Sequence, residues 1–384
     1  MDNRLSLKGL TWDERVLLFA VCSCFLPYYI TILTMFGVFG YIIFNKKRLV
    51  SSIKGIANIF LCLFTVVSIY TALVYDNWLG MIVSFIFFGV MLVLNFSSIV
   101  CDKQFYIKLL LTVTGMSVVV SFAAFTETFI YSFITDRFRA NAYCMNPNYL
   151  ADLLMVSILV CAYLEMSKNA APFYCYLVAA INCVALYLTG SMSTWVALLI
   201  GISVMLLVMR HHISLGIMFL LAATAILVLL NSPELFPRLD ETAPTINIRL
   251  EIIKQVVEEI KEFPIFGKGF LSTWFSNIRA GYGNARIWHA HNLILECLIS
   301  FGYVGTSLIG VTFFLIFRRL GKAYEKQGDT FGVSSFVIAV VVAAFAHAMV
   351  DMTLLWVQTG LLAAIIVGGG LGGTINSTKK AQTE

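Results

Sequence analysis

Apolar runs of spanning length recur through this chain, and no other feature limits its fold so tightly. A helix that crosses a membrane needs about 20 mainly apolar residues. Such runs cover residues 16–44, 55–75, 79–100, 105–125, 149–166, 171–188, 194–209, 213–230, 293–317, 331–350 and 352–371. The first is 29 residues long and holds Pro27, which kinks or breaks a helix. One crossing there gives eleven spans and two give twelve. The expected fold is all-α: a polytopic membrane helix bundle of about 11–12 transmembrane helices, forming a single membrane domain over 1–384.

Charge supports this. Charged residues make up 12% of the chain and hydrophobic ones 60%, whereas soluble domains carry about 25% charge. So few charges cannot clothe a water-soluble globule of this size. The net charge of +5 reads as topology, because loop cations set orientation. The nine cysteines form no Cys-x-x-Cys pair, so neither a zinc ribbon nor a redox motif is indicated, and they read as small buried hydrophobes. The polar N-terminus leads into an apolar run without a small-residue cleavage site, which argues against a cleaved signal peptide.

Lys46, Lys47, Arg48 and Lys54 mark the loop after the opening run as cytoplasmic. Alternation from there places Lys103 with Lys108, Lys168, Arg210, and Arg318, Arg319, Lys322 and Lys326 on the same side. Lys379 and Lys380 join them. Arg4, Lys8 and Arg15 do so only if the opening run crosses twice. The opposite side receives residues 127–148, a turn at 189–193, and the largest loop, 231–290.

That loop holds seven acidic and seven basic residues, so it is no polyelectrolyte-binding patch and no nucleic acid is expected. Pro233, Pro237 and Pro244 break its start. Residues 246–263 then show helical periodicity, with Leu250, Ile253, Val257 and Ile260 on one face and Glu251, Gln255, Glu258 and Glu262 opposite. This predicts an amphipathic helix lying on the membrane surface or on the bundle. The turn-rich run Pro264-Ile265-Phe266-Gly267-Lys268-Gly269-Phe270 follows.

Candidate chemistry gathers at the outer ends. His291 stands at the mouth of the ninth span beside Asn292, with His289 two residues upstream; a histidine accepts a proton near neutral pH. It is equally an ordinary boundary anchor. Zinc ligation by His289 and His291 lacks a third ligand at suitable spacing, and neither metal nor cofactor is expected. Arg249, Arg286, Arg137 and Arg139 lie outside the membrane, and guanidinium forks match phosphate oxygens in pairs. Converging, they suit a pyrophosphate; singly, they are surface charges. Asn146-Pro147-Asn148 opens a span, with Asn148 a candidate helix cap and Asp152 one turn in, placed to bond within the bundle or hold an arginine. His347 and Asp351, four apart, suggest a structural pair on one helix face. No Asp-x-Asp pair lies outside, which argues against a metal-dependent nucleotide-sugar transferase.

Four landmarks in order resemble the O-antigen ligase/polymerase family over residues 146–305: Asn146-Pro147-Asn148; Leu188-Thr189-Gly190-Ser191; Arg249 heading the helix into Pro264–Phe270; and His291-Asn292 followed by Gly302 and Gly305. The flanks match only in hydropathy. The resemblance implies a bacterial cytoplasmic (inner) membrane enzyme of surface polysaccharide assembly, with its active site on the periplasmic or extracellular side. It would transfer a glycan from a polyprenyl pyrophosphate donor to a sugar hydroxyl of a lipid-linked or cell-surface acceptor, by inversion and without metal. His291 would serve as base and the arginines as pyrophosphate ligands, Asn292, Asn146, Asn148, Asp152 and His289 supporting. Many ligases of the family carry Arg where this chain has Met192. That departure tilts the expectation towards a polymerase of repeat units, with a ligase as alternative. A lipid-linked sugar flippase is the rival of another class; it would place ionisable residues at mid-membrane and show repeated halves, and neither is visible.

Overall fold

The computed structural model describes residues 9–135, 138–232, 242–281, 284–327 and 332–380. Arg137, Pro233 and Pro237 fall outside them. Fifteen α-helices, one 3-10 turn (Thr353–Leu355) and one two-stranded hairpin are the regular elements of the described residues.

The opening run is a helical hairpin. α1 (Trp12–Ser23) and α2 (Tyr28–Ile43) are separated by a turn that ends at Pro27, and Thr31 Oγ1 donates across it to the Ser23 carbonyl at 2.7 Å. α3 (Lys46–Ile53) follows α2 after a 100° bend. Arg48 on α3 pairs with Asp13 near the start of α1 at 2.9 Å, so both ends of the hairpin meet at the lysine- and arginine-rich end of the bundle. Its turn lies at the other end, where the Gln358 amide donates to the carbonyls of Cys24 and Leu26. The run therefore goes out and back rather than crossing once.

The remaining long elements are α4 (Ile56–Val74), α5 (Trp78–Val100), α6 (Lys103–Tyr131), α7 (Pro147–Met166), α8 (Pro172–Leu188), α9 (Met192–Val208) and α10 (His212–Asn231). After the long loop come α13 (Leu293–Gln327), α14 (Val333–Ala348) and α15 (Val357–Lys380). Among the described residues, seven helices are long and apolar enough to cross a membrane: α4, α5, α6, α7, α10, α13 and α15. This is fewer than the 11–12 expected. Every expected run is helical, but α8, α9 and α14 have 17, 17 and 16 residues, at or below the short end of the roughly 17–25 that span. α7 is enclosed along almost its whole length. α10 buries no residue and packs on α9 from the periphery.

The long loop folds onto the bundle. α11 (Thr242–Glu262), α12 (Ser272–Phe275) and the hairpin β1 (Arg279–Ala280) and β2 (Ala285–Arg286) form a small second core. Its members are Ile252, Val256 and Ile260 of α11, Ile278 and Ala280 of the hairpin, and Ala290 and Ile299 at the start of α13. The docking face of α11 keeps Ile260 of the expected stripe but otherwise runs one residue away from it: Ile252 and Val256 are buried, Ile253 and Val257 half-buried, and Leu250 is exposed. Gln255 Nε2 clamps the hairpin by donating to the Arg279 carbonyl at 2.7 Å.

The run from Pro264 to Phe270 locks into a break in α13. Gly302 holds φ 57° and ψ −165° inside that helix. The amides freed by the break are taken up by the loop: Tyr303 N donates to the Pro264 carbonyl at 2.8 Å and Val304 N to that of Ile265 at 3.0 Å. In return Gly269 N donates to the Ser300 carbonyl at 2.7 Å. A Cβ on Gly302 would stand 2.4 Å from the Ile265 carbonyl, and one on Gly267 2.5 Å from that of Ser300. Both glycines are needed for two backbones to approach this closely.

Candidate functional site

Four distant segments meet at the end of the bundle opposite the basic loops. Asn292 arranges the first junction. It caps α13, its Oδ1 accepting from Ile294 N and Leu295 N at 3.0 and 3.1 Å. Its Nδ2 donates to the Met349 carbonyl beyond the end of α14 at 3.1 Å. One side chain therefore ties the start of α13 to the end of α14, and so brings His291 beside Asp351.

His291 takes a left-handed conformation, φ 51°, uncommon for residues other than glycine and held by its surroundings. Glu296, buried one turn into α13, supplies the hold. Its carboxylate accepts from Ala290 N at 2.7 Å, from Thr273 Oγ1 at 2.9 Å and from Ser300 Oγ at 3.3 Å. Asp351 Oδ1 lies 3.6 Å from His291 Nδ1 and 3.5 Å from His289 Nε2, and the two imidazoles meet edge to face at 4.3 Å. The carboxylate is 3% exposed, the imidazoles 19% and 26%. A buried anion thus underlies two histidines that open outward.

The third segment is Asn146-Pro147-Asn148. Asn146, not Asn148, caps α7: its Oδ1 accepts from Asn148 N at 2.8 Å, with Pro147 in the first turn. This leaves the Asn148 side chain free to donate from Nδ2 to Asp351 Oδ2. The fourth is the Leu188-Thr189-Gly190-Ser191 turn. Arg139 joins it to Asn148, donating from Nε to the Thr189 carbonyl at 2.7 Å and from Nη2 to Asn148 Oδ1 at 2.8 Å. The loop carrying Arg139 is fixed by Glu127, which accepts from Asn141 N and Ala142 N.

The charges are mutually adjusted. Burial and the neighbouring His289 push His291 down to about 4, against a smaller upward pull from Asp351; the nearby Arg249 charge lowers it further. His291 is therefore neutral at physiological pH, with one nitrogen able to accept a proton. Burial by itself would raise Asp351, but His289, His291, His347 and the Asn148 amide outweigh it and hold the carboxyl below its usual range.

The remaining expected residues are placed differently. Arg249, in the second turn of α11, is half-buried and near enough to act electrostatically on His291. Arg286 is drawn to Trp274: Nε donates to its carbonyl at 2.8 Å and the guanidinium lies 4.2 Å over its ring. Arg137 is outside the described residues. Among the described residues Asp152 pairs with no arginine; its Oδ1 lies 3.3 Å from His347 Nδ1. His347 and Asp351 do not share a helix face, because α14 stops at Ala348. The His347 ring instead bonds Thr194 and Thr353 at 3.1 and 3.2 Å, bracing α9 against α14. Asp351 is the site residue the sequence conceals. It is also the third ligand atom that spacing alone did not offer: His289, His291 and Asp351 bring donors within 4.8 Å of one another.

Fold and site together define a polytopic all-α membrane protein with a histidine–carboxylate cluster at one end of its bundle. Residues 177–310 match the family model described as O-antigen ligase, so over this stretch the chain is similar to the membrane proteins of that family. Such proteins are glycosyl-transferring enzymes of glycan assembly that act on lipid-linked glycans. The match includes Arg249, the Pro264 to Phe270 run, His289, His291, Gly302 and Gly305; Arg139, Asn148 and Asp351 lie outside it. No curated protein sequence matches the chain.

Proposed function

We propose that the chain polymerises repeat units of a surface polysaccharide at the periplasmic or extracellular face of the inner membrane. The donor is a glycan on polyprenyl pyrophosphate and the acceptor a sugar hydroxyl of a second lipid-linked glycan. The supporting observation is the pairing of a neutral His291 with buried Asp351, within electrostatic reach of Arg249. Asp351 faces Nδ1 and favours the tautomer with the proton there, which leaves the Nε2 lone pair as base. As the acceptor oxygen attacks the anomeric carbon, Nε2 takes its proton and Asp351 stabilises the imidazolium. The bond from that carbon to the pyrophosphate oxygen breaks on the opposite face, with inversion, and the leaving group departs with the electron pair. Arg249 faces the negative charge that builds there, an interaction whose removal commonly costs about 3 kcal/mol.

Arg139 serves this reading as a clamp. It fills the surroundings of the turn where many ligases carry Arg and this chain carries Met192, but it bonds Thr189 and Asn148. The extracytoplasmic loop 231–290, within the ligase-like core 146–305, carries Arg249 and the approach to His291. The test is purified protein with a lipid-linked repeat unit as the sole substrate. A ladder of products that vanishes with His291→Ala supports the polymerase. A product formed only when a separate acceptor is added means a ligase. A ladder undiminished in His291→Ala rejects the base assignment.

A further inference from the structure

We propose that His289, His291 and Asp351 form an inhibitory site for a divalent cation of the zinc class, which silences the proposed base by coordination. The inhibitory part rests on the reading of His291 as base; the binding part does not.

The donor set is two imidazole nitrogens and one carboxylate oxygen, a combination that suits zinc with a fourth position left for water. Bonds of about 2.0–2.2 Å in a tetrahedral site put neighbouring ligand atoms roughly 3.3 Å apart. Asp351 Oδ1 already stands 3.5 Å from His289 Nε2 and 3.6 Å from His291 Nδ1, so small rotations complete the cradle. His291 Nδ1 is buried and makes no hydrogen bond. A buried polar nitrogen without a partner is costly, and a cation between it and Asp351 would satisfy both.

The surrounding residues are arranged as an outer shell. Asn148 holds the far oxygen of Asp351 and Met352 N donates to the near one at 2.8 Å. Glu296 fixes the backbone that presents His291. Such outer contacts orient ligands and commonly govern affinity about 10–100-fold. The histidines are partly open, so an ion can enter from the side on which substrate would approach.

The consequence for chemistry follows from imidazole having one lone pair when neutral. A cation on Nδ1 takes that pair and leaves the proton on Nε2. The nitrogen turned towards the acceptor then carries a hydrogen and cannot take another. The metal-free state has the opposite tautomer and is competent.

The experiment uses the full-length protein in detergent, stripped with chelator and titrated with Co²⁺ as a spectroscopic stand-in, then with Zn²⁺, with turnover followed in parallel. The expected result is one saturable Co²⁺ with visible absorption bands of a tetrahedral site, displaced by Zn²⁺, and turnover falling at least about tenfold at saturation. His289→Asn and Asp351→Asn should each weaken binding by about tenfold or more, while exposed His212→Asn binds as wild type. Variants are compared only as monodisperse protein; if Asp351→Asn does not fold, His289→Asn decides. Absence of saturable binding, or wild-type binding by His289→Asn, overturns the site. Site binding with undiminished turnover overturns the switch and, with it, the assignment of His291 as base.

Discussion

Asp351 and Asn148 share one hydrogen bond across 203 residues of sequence, and through it the carboxylate is turned to face His291. In the proposed mechanism Asp351, 3.6 Å from Nδ1, is an orienting group for the imidazole. Asp351→Asn should therefore reduce turnover roughly 10²-fold or more, because the wrong tautomer is no longer disfavoured, with little change in the concentration of substrate needed for half-maximal rate. Initial rates across donor concentrations separate the two. A variant altered only in apparent substrate affinity would contradict an orienting role.

Replacing His291 itself with Ala should cost about 10²–10⁴ in rate, the usual worth of a positioned base. Its thermal stability should hold or rise slightly, since a buried nitrogen without a hydrogen-bond partner is removed. Loss of activity together with loss of folded protein would point to a structural histidine instead.

The pH dependence has a definite sign. With His291 depressed to about 4, the imidazole stays unprotonated down to that pH, so in the presence of chelator the acid limb of the rate profile should fall near 4, not near 6.5. His289→Asn removes a neighbour that lowers it and should move the limb upward. Removing Asp351, which raises it, should move the limb downward. For stability, the unfolded chain binds the proton first as pH falls through about 6.5. His291 should therefore destabilise the fold progressively between about 6.5 and 4, and no further below. A wild-type acid limb near neutrality would refute the depressed value.

The bundle was legible because hydrocarbon imposes long apolar runs, and every such run is helical, the first as two helices. The docking face of α11 was not. Ile252 and Ile253, then Val256 and Val257, are adjacent apolar pairs, so the helix carries an apolar arc wide enough for either row to face inward. Only the partners, Ile278, Ala280 and Ala290, select Ile252 and Val256. Asp351 was hidden for a related reason. Its spacing from His347 suggested a helical pair, but the helix stops before it, and its companions come from α7 and from the residues before α13. The asparagine pair shows the same limit: a cap is visible in Asn-Pro-Asn, whereas which asparagine caps and which reaches outward depends on where the helix starts.

Glu296 tests whether the backbone ahead of α13 must be fixed. Glu296→Gln keeps the volume but turns one acceptor oxygen into a donor, so the remaining oxygen must serve Ala290 N and Thr273, Ser300 must turn round to accept, and the charge of the acceptor is lost. Charged hydrogen bonds of this kind contribute about 1.5–3 kcal/mol. Thermal unfolding in detergent should shift down accordingly, and turnover should fall with it because His291 is held in its left-handed conformation from Ala290 onward. Unchanged turnover in a destabilised Glu296→Gln would confine the residue to stability.

The interlock between Gly302 and the loop at Ile265 gives the sharpest stability contrast. Gly302→Ala puts a methyl 2.4 Å from a carbonyl at φ 57°, where neither the backbone conformation nor the neighbouring chain gives way cheaply. Strain and overpacking each cost about 1–3 kcal/mol, so a loss of roughly 2–5 kcal/mol is expected, with release of the Tyr303 and Val304 amides from the loop carbonyls of Pro264 and Ile265. Gly310, further along the same helix, has nothing within 4 Å of an added Cβ. Gly310→Ala should be neutral or stabilising by up to about 1 kcal/mol, as alanine exceeds glycine in helix propensity. Melting curves of the two variants side by side check this. If both behave alike, the break at Gly302 is not what joins the long loop to the bundle.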